Sequence, residues 1–149
     1  MDILKKYLKE NEINNIVVAS QRGKTAIQLA EELDKEKNIV TISEFSYNEK
    51  TKKTMKKKKI NIIEEANLPI QDIREMKETL LMFDSGIKAA LEVASIAASN
   101  KMVEGKMAAI AGGGLDTVMI VDTVHPEAES ISEPLKQLKI EKILFSSLV

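Results

Sequence analysis

The feature of the sequence that most constrains its fold is a change in hydrophobic period on either side of one short polar segment. Residues 16–19, Ile-Val-Val-Ala, form a compact β-branched apolar run that is typical of a buried strand. Residues 20–23 form a tight polar loop, and from Lys24 onward the apolar residues recur at helical spacing. Residues 38–42, Asn-Ile-Val-Thr-Ile, predict a second strand. This strand–loop–helix–strand unit favours parallel strands joined by a right-handed crossover.

Further apolar runs extend the predicted sheet. Residues 60–63 and 107–111 predict a third and a fourth strand, and residues 118–121 predict a fifth. Only six residues separate the last two runs, whereas a parallel crossover needs a dozen or more, so this pair is predicted to be an antiparallel hairpin. The sequence therefore predicts a single α/β domain over residues 1–149, with a mixed, mainly parallel five-stranded sheet.

The helix predicted at residues 87–99 is unusually apolar. Its polar residues form a narrow stripe, in which Lys88 and Glu92 are spaced for an ion pair along the helix. The wide apolar arc implies burial on more than one side, either within the domain or at a subunit interface. On this basis we expect a homodimer or a larger assembly.

Composition excludes several classes of site. The 149 residues include no Cys, which excludes a disulfide framework, a thiolate metal site and a Cys nucleophile. The single His, His125, is interpreted as an incidental exposed residue, and neither a metal site nor a cofactor is predicted. No stretch of 18 apolar residues and no signal-peptide core are present, so we expect a cytoplasmic protein with no membrane partner.

A basic block interrupts an otherwise acidic chain. Residues Lys50–Lys59 contain seven Lys and no acid, although the net charge of the chain is −1. Such a block could bind nucleic acid. However, it contains no Arg or aromatic residue to grip phosphates or to stack on bases. The favoured interpretation is a solvated helix surface, and we do not expect nucleic acid to be a partner.

The first candidate site lies where the first strand gives way to a helix. A helix N-terminus offers free N–H groups and a positive dipole end, which suit an anion. Hydroxyl groups would donate hydrogen bonds, basic side chains would add charge, and Gly23 would let a ligand approach the backbone. The candidate residues are Ser20, Arg22, Gly23, Lys24 and Thr25. The loop is not a Walker loop, because Val18 occupies the position of its first glycine. A tight turn with a helix cap remains the alternative.

The second candidate site is the glycine-rich loop before the fifth strand. Its candidate residues are Gly112, Gly113, Gly114, Asp116 and Thr117. Three consecutive glycines expose backbone amides, although on local sequence a simple hairpin turn is the favoured interpretation. If the first and fourth strands are neighbours, both loops face one crevice at the carboxyl edge of the sheet, where parallel sheets bind ligands.

Other acidic residues are weaker candidates. Glu44, at the end of the second strand, lies near the expected crevice. Asp34, Glu64 and Glu65 could serve as acid or base groups, but solvation at the surface is the favoured interpretation because no partner is evident.

The order of these motifs resembles a known family. The first motif comprises Ser20, Gly23, Thr25 and Ala26; the second comprises Phe83, Gly86, Lys88 and Glu92; the third comprises Gly112, Asp116 and Thr117. Together they resemble a small family of stand-alone, largely archaeal proteins of unassigned function that are related to the C-terminal α/β domain of pyruvate kinase. The resemblance covers most of the chain, although residues 44–70 are shorter than in the family and the loop at residues 112–117 is compact.

The resemblance implies a three-layer α/β/α sandwich with strand order 3-2-1-4-5 and an antiparallel fifth strand. In pyruvate kinase the corresponding domain carries a sugar-phosphate effector site at a Ser/Thr-rich loop that begins a helix. The catalytic centre of the kinase lies in another domain, so pyruvate kinase activity is not implied.

These observations predict a non-catalytic binding module for a small phosphorylated or anionic metabolite. The alternative is a small enzyme that acts on such a metabolite, with Asp116 and Thr117 in the same crevice. Whether a reaction is catalysed stays open, because no catalytic constellation is recognisable. Nucleic-acid binding through Lys50–Lys59 ranks third.

Overall fold

The computed structural model describes residues 1–124, 127 and 137–148, so His125 lies outside the described residues. Within these ranges the chain forms five helices and six strands. In chain order they are α1 (Asp2–Glu10), β1 (Asn15–Ala19), α2 (Lys24–Glu32), β2 (Asn38–Ile42), α3 (Glu49–Lys57), β3 (Asn61–Ile63), α4 (Arg74–Leu81), α5 (Ser85–Ser99), β4 (Lys106–Ala111), β5 (Thr117–Asp122) and β6 (Lys139–Phe145). None of the described helices has the length and apolarity that a membrane crossing requires.

The strands form one sheet in the order β3-β2-β1-β4-β5-β6. β1 is parallel to both of its neighbours, β2 and β4, and β3 is parallel to β2. β5 is antiparallel to β4, and β6 is antiparallel to β5. These pairings confirm the predicted α/β class, the antiparallel hairpin, and the order 3-2-1-4-5 among the first five strands.

The prediction of five strands is wrong, because β6 adds a sixth at the edge of the sheet. Its side chains are exposed or half-buried, and three of them are charged: Lys139, Glu141 and Lys142. Its pairing with β5 is interrupted by two register shifts. Charges and irregularities are common on edge strands, where they discourage pairing with another chain. Such a strand lacks the continuous apolar run by which buried strands are identified.

Helices cover both faces of the sheet. Successive side chains of a strand point to opposite faces, so Ile16 and Val18 of β1 pack on one side and Val17 packs on the other. Ile16 and Val18 belong to a core that includes Leu8 of α1, residues of α2, and Met55 of α3. Val17 belongs to a second core with residues of α4 and α5. The result is the predicted three-layer arrangement of helices, sheet and helices.

Helix α5 is enclosed by its own chain. Ten of its fifteen residues are buried, including the polar residues Lys88, Glu92 and Ser95. It packs against β1, β4 and β5 of the sheet and against α4. The wide apolar arc is therefore covered within the domain, which is one of the two outcomes expected. A homodimer or larger assembly stays a prediction, but this helix no longer supports it.

Helix α3 carries most of the basic block. Its N-terminus is capped by Asn48, whose side-chain oxygen accepts a hydrogen bond from Thr51 N at 2.8 Å. Met55 is fully buried and anchors the helix against the sheet. The lysines of residues 56–59 are exposed, and Lys58 pairs with Glu31 at 3.5 Å. The helix therefore has a solvated outer face and one buried contact, as an amphipathic surface helix should.

Candidate functional site

A cavity of about 470 Å³ opens at the carboxyl edge of the sheet, between the ends of β1, β2 and β4 and one side of α5. β1 and β4 are paired neighbours, so the β1–α2 and β4–β5 loops meet here. Six of the ten predicted site residues line the cavity: Ser20, Arg22, Lys24, Thr25, Gly112 and Gly113. The other four lie outside its lining: Gly23, Gly114, Asp116 and Thr117.

Ser20 is the most enclosed polar residue of the cavity's first loop. It is 6% exposed, and its N–H donates to the carbonyl of Ile42 at 3.1 Å. Its carbonyl accepts a hydrogen bond from the hydroxyl of Tyr47. Among the described residues, however, none hydrogen-bonds the Ser20 hydroxyl. Buried hydroxyl groups normally have a partner, so this group has an unused hydrogen-bonding capacity at the cavity.

Tyr47 holds the β1–α2 loop in place through a hydrogen bond, and this residue was not identified from the sequence. It is 4% exposed, and its hydroxyl proton is donated to the Ser20 carbonyl. The Tyr47 oxygen in turn accepts from Thr41 Oγ1 at 2.7 Å. Burial raises the pKa of Tyr47, the Thr41 hydrogen bond opposes this shift, and the negative charge of Glu64 adds to it. The phenol therefore stays protonated and acts as a donor that positions Ser20.

The N-terminus of α2 borders the same cavity. This nine-residue helix has no side-chain cap and no acidic residue in its first turn. Arg22 and Lys24 are exposed, and neither forms an ion pair with any described residue. Thr25 is half-buried beside them. Free N–H groups, the positive end of the helix dipole and two cations together favour an anion at this position.

Gly23 has a different role from the one expected. Its φ angle is +81°, and a Cβ there would lie 2.8 Å from Thr51 Cγ2 and 3.3 Å from Met55 Sδ of α3. The missing side chain therefore makes room for α3 rather than for a ligand. The positive φ also favours glycine directly. The expectation that Gly23 opens the backbone to a ligand is corrected on this point.

The wall of the cavity opposite the loops is apolar. Leu68 precedes α4, and Ala89 and Val93 present one side of α5 to the cavity. Ile42 and Ala111 complete the apolar lining at the ends of two strands. A ligand that fills the cavity therefore needs a polar group on the loop side and a less polar part on the α5 side.

The apolar wall is held in place by the predicted ion pair of α5. Lys88 Nζ donates to Glu92 Oε1 at 2.7 Å, which confirms the pairing expected from their spacing. Glu92 Oε2 also accepts hydrogen bonds from Ile70 N and Gln71 N, each at 3.1 Å. Glu92 thus ties the segment that follows Leu68 to the helix.

The second strand contributes the polar rim. Glu44 lines the cavity and is exposed, as its position at the end of β2 predicts. Ser43 is buried beside it; its hydroxyl donates to the carbonyl of Gln21 at 3.4 Å and accepts from Phe45 N at 3.0 Å. Ser43 therefore braces the first loop, whereas Glu44 adds a single negative charge to the rim.

Asp116 and Thr117 line a neighbouring cleft of about 450 Å³ instead of the cavity. The hairpin turn folds Asp116 back against Gly112, so that a Cβ on Gly112 would lie 2.8 Å from Asp116 Cβ. Gly112, whose φ angle is +83°, lines both the cavity and the cleft. At Gly114, in the hairpin turn, an added Cβ would meet no atom within 4 Å. The expectation that Asp116 and Thr117 share the crevice with the first loop is therefore corrected.

Of the three acidic residues assigned to the surface, Glu64 and Glu65 make structural contacts, whereas Asp34 is exposed. Glu64 pairs with Lys52 and accepts a hydrogen bond from Tyr47 N at 2.8 Å. These two contacts lower the pKa of Glu64, and the same pair raises the pKa of Lys52. Glu65 accepts from Ser46 Oγ at 2.6 Å. No group of three or more His, Cys, Asp or Glu side chains suited to a metal ion occurs in the described part of the chain.

Comparison with known proteins adds no functional assignment. No family model matches the chain, and no curated protein matches it. The strand order implied by the resemblance is present in the sheet. A shared fold does not determine function, because sites of many kinds occur on the same fold. The relationship to the C-terminal domain of pyruvate kinase therefore remains a prediction that rests on the order of three short motifs.

Proposed function

We propose that the chain is a non-catalytic binding module for a small phosphorylated or otherwise anionic metabolite, held in the cavity at the carboxyl edge of the sheet. The observation that carries the proposal is the Ser20 hydroxyl, which is buried at the cavity and is not hydrogen-bonded to any described residue. A phosphate or carboxylate oxygen would accept its proton. The buried group would then gain the partner that it otherwise lacks.

The surroundings of Ser20 support a negatively charged ligand. The first turn of α2 contains no acidic side chain that would compete for its N–H groups. Arg22 and Lys24 outweigh the single carboxylate of Glu44 in the lining. Positive charge at the mouth of a cavity also speeds the association of anions.

The apolar wall supports a ligand with two unlike ends. A bare phosphate ion would contact the loop and leave Leu68, Ala89 and Val93 uncovered. A monoester with a short apolar or ring portion would bury this wall as well, at about 25 cal/mol per Å² of apolar surface. We therefore expect inorganic phosphate to bind more weakly than a monoester of similar charge.

Isothermal titration calorimetry tests the proposal. The panel comprises inorganic phosphate, glycerol phosphate, sugar phosphates and phenyl phosphate, each organic ester beside its unphosphorylated parent. The proposal expects the phosphorylated member of at least one pair to bind and its neutral parent not to bind. The proposal is wrong if no phosphorylated member of the panel binds at millimolar concentration.

A matched pair of variants locates the binding. Ser20→Ala should weaken the best ligand by about 1.5–3 kcal/mol, which is roughly tenfold or more in Kd. Ser99→Ala, an exposed serine at the far end of α5, should leave Kd unchanged. Equal affinity of both variants would place the ligand elsewhere.

A further inference from the structure

The cleft beside the cavity is lined almost entirely by oxygen-bearing side chains. Two sequence motifs meet there: the segment Asp84–Gly86, at the start of α5, and Gly112 to Thr117, at the hairpin turn. Ser146 and Ser147, which follow β6, close the third side. No Lys, Arg or His lies in this lining. The side chains present are carboxylates and hydroxyls, which are the ligands that hard divalent cations prefer.

Neither carboxylate of the cleft has a side-chain hydrogen-bond or ion-pair partner among the described residues. Asp84 is the N-cap residue of α5, yet its side chain makes no capping hydrogen bond. Asp116 forms no ion pair or hydrogen bond through its side chain with any residue that the structure describes. An Asp at an N-cap ordinarily accepts a hydrogen bond from an N–H of the first turn. The Asp84 carboxylate is therefore available to bind a group other than its own helix.

Thr117 supplies a second, independent observation. It is 2% exposed and lines the cleft, but its hydroxyl has no hydrogen-bond partner among the described residues. The hydroxyl lies beside Gly86, and a Cβ on that glycine would come within 2.0 Å of Thr117 Oγ1 and 3.2 Å of Asp84 Oδ2. Thr117 Oγ1 and Asp84 Oδ2 thus both lie beside Gly86, and the Thr117 hydroxyl takes up the position that a side chain on this glycine would need. A buried hydroxyl without a partner is costly, and a bound ion would satisfy its oxygen.

We infer that this cleft binds a divalent cation of the Mg²⁺ or Ca²⁺ class. Asp84, Asp116 and the Thr117 hydroxyl would provide protein ligands, and water would complete the shell, as is usual for Mg²⁺ sites with one or two carboxylates. With only two carboxylates, the site belongs in the weak range of such sites, with Kd of about 10⁻⁴–10⁻³ M. The inference does not depend on the anion cavity, although Gly112 lines both.

Electron paramagnetic resonance of Mn²⁺ tests the cation site directly, because free Mn²⁺ gives a sharp signal that binding broadens. The full chain should bind one Mn²⁺, and Mg²⁺ or Ca²⁺ should displace it. Asp84→Asn and Asp116→Asn should each weaken Mn²⁺ binding by at least about tenfold, because each removes a charged ligand. Asp34→Asn is the matched control, since this exposed Asp lies between α2 and β2, away from the carboxyl edge of the sheet.

Circular dichroism melting of each variant without metal confirms that the fold is retained. Thr117→Val tests the hydroxyl while keeping the shape of the side chain, and it should also weaken Mn²⁺ binding. The inference is overturned if the parent does not bind Mn²⁺ at millimolar concentration. It is also overturned if both aspartate variants bind Mn²⁺ as tightly as Asp34→Asn, because the metal would then lie at another site.

Discussion

Glu92 accepts a hydrogen bond from Lys88 Nζ at 2.7 Å, one turn away along α5, where both side chains are almost fully enclosed. The second oxygen of the same carboxylate accepts from two backbone N–H groups, those of Ile70 and Gln71. A buried charge is tolerated when it is paired and its remaining lone pairs are satisfied. Glu92 meets both conditions, and in doing so it joins α5 to the segment that carries Leu68 to the cavity wall.

Removing this carboxylate should be strongly destabilising. Glu92→Ala leaves the Lys88 ammonium and two backbone N–H groups without their partner, and breaking a buried pair in this way costs about 3–5 kcal/mol. Urea denaturation followed by circular dichroism measures the loss. Glu78→Ala is the control, because it removes an exposed pair of the same spacing, with Arg74, and should change stability by about 0.5 kcal/mol or less. A Glu92→Ala variant as stable as Glu78→Ala would contradict the structural role.

The basic block should contribute little to stability. Replacing Lys56–Lys59 together by Gln removes four exposed cations and one partly exposed pair, Lys58 with Glu31. Such surface changes are worth about 1 kcal/mol or less in total. Urea denaturation should therefore give a free energy of unfolding close to that of the parent, and anion affinity should be unchanged. A loss of several kcal/mol in the free energy of unfolding would show that these lysines stabilise the fold.

Glu64 should make stability depend on pH in acid. Its folded-state pKa is lowered by the Lys52 ammonium and the Tyr47 N–H, so the unfolded chain binds a proton more readily than the folded one. The stabilisation is present above the ordinary carboxyl pKa and is lost as pH falls through the lowered value. The difference in unfolding free energy between the parent and Glu64→Gln should therefore shrink as pH falls below about 4.

The control for this pH dependence is Glu36→Gln, which removes an exposed carboxylate that pairs with no described residue. Urea unfolding curves collected between about pH 7 and pH 2 compare the two variants. A stability difference between the parent and Glu64→Gln that stays constant across this range would contradict the assigned contacts.

Tyr47→Phe should loosen the first loop of the cavity. The change leaves the Ser20 carbonyl and the Thr41 hydroxyl without their shared partner, at a cost of about 1–3 kcal/mol. Tyr7→Phe is the control, because Tyr7 is half-buried and its ring contacts Lys142 rather than a cavity residue. Thermal unfolding gives the stability change, and calorimetry with the best ligand should show weaker binding for Tyr47→Phe alone.

The sequence predicts the parts of this molecule that depend on local pattern. The run at residues 38–42 coincides with β2, and the six-residue spacing after residue 111 correctly predicts the antiparallel hairpin. The strand and the hairpin depend on hydrophobic period and chain length, both of which can be read from a single sequence. The meeting of the two candidate loops required in addition that β1 and β4 be neighbours, which the pattern left open and only the family resemblance implied.

The missed features depend on contacts between distant residues. Nothing local to Tyr47 indicates that its hydroxyl reaches Ser20, and the neighbour that requires Gly23 is Thr51 of another helix. Likewise, position 86 has no room for a side chain because Thr117 lies against it. A pattern shows that a glycine or tyrosine is present, but only the packed structure shows what it faces.

The last prediction concerns Gly23. Gly23→Ala forces a side chain into a position with φ at +81° and places its Cβ 2.8 Å from Thr51 Cγ2, so it should cost about 2–4 kcal/mol. Adding Thr51→Ser removes that methyl group and should recover part of the loss, leaving the cost of the positive φ. Gly105→Ala is the control, because Gly105 has a similar φ of +85°, lies outside the cavity lining, and its added Cβ would meet no atom within 4 Å. Urea denaturation of these variants and of Thr51→Ser alone measures the coupling, and calorimetry at a temperature where each is folded measures anion binding. If Gly23→Ala is as stable as the parent but has lost phosphate binding, then Gly23 faces the ligand after all, and its assignment to the packing of α3 is wrong.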